Sequence, residues 1–445
     1  MTGGVFVPLS PAHGIVRVIL NASRGESSPF PLSAADTKAK PWIVDLTSFA
    51  GSIEDDLARR DFTINALALP WRDWQSADWP QLVLDPFDGR ADLARRCIRA
   101  VRPSVFRDDP GRLLRAVRLA ARLRFRVEAE TARLVRTEAY RIERVSGERV
   151  RDEFLALLSM DGARGQLEAL DRLDLLCHII PELALTKGVE QPKEHYWDVW
   201  GHLLHTVEAA ELVTRGHQNS AIFTLIPWTE TLAAYFGQEV SDGHARRTML
   251  KLASLFHDIA KPQTKKPDAT GRIRFLGHPE LGATMAAHRL AHLRLSSRGT
   301  DMVSALVEHH MRPGHMQQGV ELPTKRAIYR YFRDLGDVAI EGLYLALADY
   351  LAARGPELNP DAWAEHVRMI GYMLHIGTQP VSGGTPGRPA RLLTGHDLIE
   401  HFGLAPGPQI GVLLEKINEA RAAGEITTPE EALALVPALL NNSSA

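Results

Sequence analysis

Most of the chain carries a helical hydrophobic pattern, and this pattern limits the possible folds more than any other feature. After Pro110, apolar residues recur with a period near 3.6 residues, in long runs interrupted at Pro181, Pro192, Pro262 and Pro313. This period gives a helix one apolar face, and proline ends a helix or begins the next one. Because 445 residues are too many for one core, about three domains are expected. The sequence therefore predicts a mostly α-helical protein with several domains.

The first hundred residues have a different pattern. Runs rich in β-branched residues at 5–9, 15–20 and 42–46 predict three short strands, and 82–84 predicts a fourth. The helical pattern begins at Ser52, so a small α+β part is expected here. No run approaches the ~18–20 apolar residues of a membrane span. The two cysteines, Cys97 and Cys177, argue against a disulfide framework and favour a cytoplasmic protein.

Arginine is concentrated in one block of the chain. Residues 90–151 hold 18 arginines, no lysine and 8 acidic residues, a net charge of +10 in a chain whose total is −2. On a helix beginning near Pro110, five of these arginines fall within an arc of roughly 120°. They are Arg112, Arg115, Arg118, Arg122 and Arg126. Since no glutamate follows at helical spacing, a phosphate-binding surface is favoured over a solvated helical face.

Three motifs follow one another across this region. The segment 54–68 reads EDDLARRDFTINALA, 85–89 reads DPFDG, and 108–118 reads DDPGRLLRAVR. In this order they resemble the class II (bacterial-type) tRNA nucleotidyltransferase and poly(A) polymerase family. The resemblance implies RNA 3′-end processing, CCA addition or repair, with tRNA or another RNA 3′ end and ATP or CTP as partners. It is compatible with addition of CCA, of A alone or of C alone.

The resemblance also implies a set of nucleotide-binding residues: Arg60, Asp61, Asn65, Asp109, Arg112, Arg115 and Arg118. Arg60 would contact the triphosphate, while Asp61 and Asn65 would shape the nucleotide pocket. Asp109 and Arg112 would read the edge of the incoming base, because a carboxylate and a guanidinium present opposite hydrogen-bonding patterns.

One part of the family pattern is missing from the sequence. Family members carry a Gly-Gly-x-Val-Arg-Asp loop and an Asp-x-Asp pair that holds Mg²⁺ for phosphoryl transfer. The sequence contains neither motif. We therefore expect a truncated head, assign no catalytic residue for the transfer, and expect this form to lack transferase activity. The alternative function is a metal-dependent phosphohydrolase (phosphatase or phosphodiesterase) whose head is a non-catalytic RNA-binding module.

Histidine is concentrated further along, with twelve of the 18 between His195 and His315. The segments DVWGH (198–202), LFHDIAKP (255–262), GHPELG (277–282), EHH (308–310) and LAD (347–349) resemble the HD superfamily of metal-dependent phosphohydrolases. The resemblance implies these metal ligands: His202, His257, Asp258, His278, His309 and Asp349, with His310 as the alternative to His309. Mg²⁺, Mn²⁺ or Ni²⁺ would suit this ligand set.

Other residues of this region have a simpler interpretation. Lys261 is a candidate for contact with substrate phosphate. His195, His205, His288 and His315, taken alone, are expected to be ordinary structural histidines.

These patterns together predict the organisation of the chain. We expect a partial nucleotidyltransferase head at 1–100, a helical neck and body that binds RNA and nucleotide at 101–190, an HD domain at 191–375 and a helical tail at 390–445. A segment rich in glycine and proline, 377–389, would link the last two.

Overall fold

The computed structural model describes residues 5–10, 15–20, 42–49, 51–216, 220–316, 321–379 and 392–441. The chain divides into two compact units, residues 1–105 and 106–445, which are described separately. The predicted linker, 377–389, lies outside the described residues from 380 onward. None of the helices in these ranges combines the length and the apolar character needed to cross a membrane.

The first unit contains one small sheet and short helices. Its strands and helices are β1 (Val5–Ser10), β2 (Ile15–Leu20), β3 (Trp42–Thr47), α1 (Ile53–Ala58), α2 (Gly89–Ala94) and β4 (Cys97–Ile98). The three predicted strands are present, and they form an antiparallel sheet in the order β1-β2-β3. The fourth predicted strand is wrong, because only Leu84 forms a bridge, to Ala68, and a 3₁₀ turn occupies 79–81.

The second unit begins with a group of short helices. They are α3 (Val105–Asp108), α4 (Arg112–Leu123), α5 (Ala129–Glu138), α6 (Gly147–Ser159), α7 (Ala163–Arg172) and α8 (Leu176–Ile179), with a short strand, β5 (Arg126–Val127). Leu113, Leu114 and Val117 form the buried face of α4, as the periodicity predicts. The helix ends at Leu123, with Arg124 in the left-handed region, so Arg126 lies on β5 and not on the predicted helical face.

Ten helices follow between residues 199 and 378, and two of the prolines named above lie at helix starts. They are α9 (Val199–Val213), α10 (Glu230–Gly237), α11 (Arg246–Phe256), α12 (Lys261–Thr264), α13 (His278–His292), α14 (Ser297–His309), α15 (Arg312–His315), α16 (Lys325–Leu335), α17 (Ala339–Arg354) and α18 (Pro360–Thr378). Two hairpins interrupt them, β6 (Glu239–Ser241) with β7 (His244–Ala245), and β8 (Lys265–Pro267) with β9 (Ile273–Phe275). Pro262 and Pro313 occupy the first turns of α12 and α15, where a missing N–H costs little.

Three terminal helices form a core of their own. They are α19 (Gly395–Phe402), α20 (Pro408–Ala423) and α21 (Pro429–Asn441). Leu398, Leu413 and Val436 belong to a buried cluster whose members all lie between residues 392 and 440. Arg330 of α16 and Glu419 of α20 form a two-bond ion pair, with nitrogen–oxygen distances of 2.9 and 2.6 Å. Charged pairs therefore contribute to the contact between α16 and this helical tail.

Candidate metal centre and nucleotide-binding helix

Five helices or their ends bring six potential metal ligands together. The residues are His202 of α9, His257 and Asp258 at the end of α11, His278 at the start of α13, His310 at the end of α14 and Asp349 of α17. His202 and His257 are fully buried, and Asp258 is 2 % exposed. These ligands come from positions up to 147 residues apart in the chain, so packing of the helices creates the cluster.

One half of the cluster is built around His202 and His257. Their Nε2 atoms lie 3.1 Å apart. The His202 Nε2 atom lies 3.0 Å from Asp349 Oδ1 and 3.4 Å from Asp258 Oδ2. The His257 Nε2 atom lies 3.2 Å from the same Asp258 oxygen. Two imidazole nitrogens and two carboxylate oxygens therefore converge on one point.

The other half of the cluster uses the second oxygen of the same aspartate. Asp258 Oδ1 lies 3.2 Å from His278 Nε2 and 3.6 Å from His310 Nε2, and those two nitrogens are 3.3 Å apart. The groups His202–His257–Asp258 and Asp258–His278–His310 each have the spacing of a metal site. The Asp258 carboxylate therefore lies between two separate ligand sets.

Backbone carbonyls fix the orientation of three of the imidazoles. The Nδ1 atoms of His257, His278 and His310 lie 2.8, 2.6 and 2.7 Å from the carbonyl oxygens three residues earlier. Only a protonated Nδ1 can donate to a carbonyl, so in the neutral rings Nε2 carries the lone pair. Such an outer hydrogen bond is the usual way in which a protein orients a histidine ligand.

The electrostatics of the cluster fit a bound cation. Burial opposes the charge of Asp258, but Lys261 and His257 outweigh it and hold the carboxyl pKa well below its ordinary value. Burial also lowers the pKa of His257, but Asp258 and Asp349 raise it by more, to about 10. The buried Asp258 Oδ1 atom accepts no hydrogen bond from the described residues, although two imidazole nitrogens face it. Without a metal, a proton on His257 and the Lys261 ammonium offset the two carboxylates, and a metal ion bound by the same imidazoles and carboxylates would supply positive charge in place of that proton.

The structure corrects one predicted ligand. Of the adjacent pair, His310 belongs to the cluster and is 3 % exposed, while His309 is half-buried and belongs to neither ligand group. Successive residues on a helix point about 100° apart, which separates the two rings, and His310 is the one that faces the other ligands. Burial and the nearby His257 lower the pKa of His310 to about 3, which keeps the ring neutral.

A cavity of about 870 Å³ opens beside the cluster. Asp258, His278 and Asp349 line it, together with basic side chains such as Arg272 and Arg312. This volume lies within the range of about 300–1,000 Å³ that is usual for small-molecule sites.

Lys261 and His195 also line the cavity. The Lys261 Nζ atom lies 2.6 Å from Asp258 Oδ2 and donates to Gln191 Oε1, also at 2.6 Å. Lys261 therefore holds a ligand carboxylate in addition to lining the cavity. His195 was expected to be structural, but its ring lies edge-on to that of His202, with centroids 5.1 Å apart. Burial and Lys261 lower the pKa of His195 to about 4.

Helix α4 carries four of the five predicted arginines, and carboxylates lie close to this helix. Arg118 forms an ion pair with Glu153 of α6, and Arg149 of α6 lies 3.0 Å from both oxygens of Asp109. The arginine face therefore has an acidic partner, although no glutamate follows at helical spacing. Glu153 lies 35 residues further along the chain, where helical spacing cannot reveal it. Burial raises the pKa of Asp109, but Arg149 and the Gly111 amide lower it by more.

The remaining candidate residues lie in the first unit. Arg60 forms a two-bond ion pair with Asp56 at 3.2 and 2.7 Å. Asp61 is buried, and its Oδ1 atom accepts hydrogen bonds from the Phe62 amide at 2.8 Å and the Asn65 side chain at 3.1 Å. These contacts hold the start of the 3₁₀ turn at 63–65 in one conformation.

The DPFDG motif packs against the same turn. A Cβ atom on Gly89 would lie 2.2 Å from the carbonyl oxygen of Thr63, so only glycine fits. Thr63 also donates to Asp92 at 2.7 Å, and Arg99 donates to the same Asp92 oxygen at 2.8 Å. The two motifs of the first unit therefore form one packed structure.

Family profiles match three parts of the chain. They are a poly(A) polymerase head domain over residues 5–99, a probable RNA- and SrmB-binding site of polymerase A over 124–186, and an HD domain over 199–354. The chain is 34% identical to an A-adding tRNA nucleotidyltransferase of Deinococcus radiodurans, over 98% of this chain and 86% of that protein. It is 32% identical to a CC-adding tRNA nucleotidyltransferase of Thermus thermophilus, over 98% of this chain and 84% of that protein.

Solved structures agree at the level of the fold. The Thermotoga maritima CCA-adding enzyme complexed with tRNA aligns with a TM-score of 0.56 and 20% identity, over 99% of this chain and 82% of that one. A CCA-adding enzyme complexed with CTP aligns with a TM-score of 0.58 and 20% identity, over 98% of this chain and 81% of that one. The mostly helical fold with a small α+β part is therefore confirmed.

Proposed function

The chain belongs to the class II (bacterial-type) tRNA nucleotidyltransferase and poly(A) polymerase family, a family of enzymes, and carries an HD domain; from this premise we propose that its histidine–aspartate cluster is a two-metal phosphohydrolase centre. The proposed substrates are phosphomonoesters or phosphodiesters of nucleotides or RNA 3′ ends. We further propose that the protein binds tRNA and works in the cytoplasm. The proposed domains are a head (1–100), a neck and body (101–190), the HD domain (191–375) and a tail (390–445).

One observation carries the proposal. The buried Asp258 directs one carboxylate oxygen to His202 and His257, and the other to His278 and His310. A carboxylate with imidazoles on both sides could help to hold two divalent ions, and such a pair would stabilise the attacking and the leaving oxygen of a phosphoester. A set of imidazoles and carboxylates without thiolate suits Mn²⁺ or Ni²⁺, and Mg²⁺ less well.

The chain's own residues would bind and orient the substrate. A divalent cation, when bound, supplies Lewis-acid activation of water and of a phosphoryl oxygen. The carbonyl-bound imidazoles keep their Nε2 lone pairs directed into the cluster, and Lys261 fixes the Asp258 oxygen that it contacts. Arg272 and Arg312 would offset the negative charge of a phosphoester in the cavity.

Two observations support a role in binding RNA and nucleotides. The first is the excess of arginine over residues 90–151, and the second is the match of residues 124–186 to an RNA-binding region. ATP or CTP would bind at Arg60, Asp61 and Asn65 of the head. For the neck, we propose Asp109, Arg112, Arg115 and Arg118 as nucleotide-binding residues.

For a polypeptide of this sequence, we propose that nucleotide transfer does not occur, because it has no Asp-x-Asp pair to hold Mg²⁺. Extension of a tRNA that lacks its 3′-terminal nucleotides, with labelled CTP and ATP, tests this directly. Incorporation of label above that of a no-enzyme reaction would contradict it.

Hydrolysis assays test the phosphohydrolase centre. Purified protein loaded with Mn²⁺ or Ni²⁺ should hydrolyse bis(p-nitrophenyl) phosphate and 2′,3′-cyclic AMP, and Asp258→Asn should abolish both reactions. His288→Gln is the matched control, because His288 is an exposed histidine of α13 outside the cluster. A metal-loaded protein that is inactive on both substrates, or an Asp258→Asn variant as active as the parent, would refute the centre.

A further inference from the structure

His195 lies beside the metal centre but outside the ligand set. It lines the same cavity as Asp258, His278 and Asp349. Its ring meets that of His202 edge-on, with an interplanar angle of 81°. The ligand groups of the described residues do not include it. His195 therefore faces the space that a substrate would occupy while leaving the metal ligands to the other residues.

The backbone around His195 is tied to the helix that carries a metal ligand. On one side, the Arg354 guanidinium donates to the Glu194 carbonyl, and on the other, the Tyr196 amide donates to the Ala353 carbonyl at 2.8 Å. Both partners lie at the end of α17, one turn beyond Asp349. Fixed on both sides in this way, His195 keeps its position relative to the cluster. Such pre-organisation is what a group that orients a substrate needs.

One nitrogen of the His195 ring is not used by the fold. Its Nδ1 atom is buried and makes no hydrogen bond with any described residue. A buried polar atom without a partner costs about 1–3 kcal/mol, so a purely structural role would favour an apolar side chain at this position. A neutral imidazole offers one donor and one acceptor, and a phosphoester oxygen accepts hydrogen bonds.

We propose that His195 is a substrate-positioning residue that donates a hydrogen bond to a phosphate oxygen of the phosphoester held at the metal cluster. This inference rests on the proposed function of the cluster as a phosphohydrolase centre. Lys261, which lines the same cavity, is already bound to Asp258 and Gln191, so it is less available for this contact. His195 thus adds to the centre a group that acts on the substrate and not on the metal.

Two substitutions separate hydrogen bonding from packing. His195→Phe keeps an aromatic ring against His202 but removes both nitrogens, and His195→Gln keeps a donor without the ring. The control is His288→Gln. Each full-length protein is loaded with Mn²⁺; bound manganese is measured by elemental analysis, and the affinity for inorganic phosphate by calorimetry. KM and kcat for bis(p-nitrophenyl) phosphate are then measured for each protein.

The expected result is unchanged manganese content in all variants and a roughly tenfold weaker affinity for phosphate in His195→Phe. His195→Gln should recover part of the affinity, and KM should rise more than kcat falls. Equal phosphate affinity in His195→Phe and the parent would overturn the inference while leaving the centre intact. Loss of manganese from His195→Phe would also overturn it, because His195 would then be a metal ligand. A parent protein that binds no manganese would instead overturn the proposed centre, and the inference with it.

Discussion

A buried lysine provides the sharpest test of how the helices of the metal centre are held. Lys251 of α11 is 1 % exposed, and its ammonium donates to the carbonyls of Leu158 and Met160 at 3.0 and 2.8 Å. It also donates to Glu211 of α9 at 3.0 Å. The two helices that carry His202 and His257 are therefore joined to each other and to the end of α6 by one charged group.

The cost of removing this group follows from its contacts. Breaking a buried ion pair by removing one partner costs about 3–5 kcal/mol. Glu211 would retain the Gly162 and Ala163 amides, at 2.8 and 3.1 Å, and Arg215 at 2.6 Å. We therefore expect Lys251→Met to lower the free energy of unfolding by about 3 kcal/mol, at the lower end of that range.

Urea unfolding followed by circular dichroism measures this change. Lys266→Met is the matched control, because Lys266 is exposed on β8, and it should shift stability by less than about 0.5 kcal/mol. Adding Glu211→Gln to Lys251→Met should cost less than the sum of the two single changes, because the residues are in contact. A Lys251→Met variant as stable as Lys266→Met would refute the reasoning.

Three further predictions concern other parts of the chain. Gly89→Ala should destabilise the protein by more than about 2 kcal/mol in urea unfolding, because its Cβ would meet the Thr63 carbonyl; near-wild-type stability would contradict the close packing. Arg115→Ala with Arg118→Ala should weaken tRNA binding and reduce the slope of log affinity against log salt by about 1–2, measured by fluorescence anisotropy; unchanged binding across salt concentrations would mean that these arginines do not contact RNA. Mn²⁺ at 100 times its dissociation constant should stabilise the protein by about 2.7 kcal/mol, and chelation should reverse this; a melting temperature indifferent to metal would argue against a cation site.

Periodicity was sufficient to predict the helical part of the fold, because apolar spacing reflects burial on one face. Leu113, Leu114 and Val117 are buried as the pattern of α4 predicts. The end of α4 could not be predicted from the pattern. The helix stops at Leu123 because Arg124 adopts a left-handed conformation, and no glycine or proline at this position marks the end in the sequence. The predicted strand at 82–84 failed for a related reason, because its apolar residues supply a single bridge rather than a paired strand.

The metal cluster could be predicted only in part from motifs. Spacing cannot tell His309 from His310, since the choice depends on which side of the end of α14 faces the other ligands. The role of Asp258 as a shared carboxylate, and the position of His195, depend on contacts between helices far apart in sequence. The ion pair of Glu153 with Arg118 also joins two different helices, so helical spacing does not indicate it.

The location and number of bound metal ions test the central claim most directly. Crystals of the protein grown with Mn²⁺ should show two anomalous-scattering peaks on opposite sides of the Asp258 carboxylate. One peak should be bound by His202, His257 and Asp349, and the other by His278 and His310. Elemental analysis of the same preparation should give two manganese ions per chain, and about none for Asp258→Asn. Manganese bound elsewhere, or no peak within coordination distance of Asp258, would contradict the account.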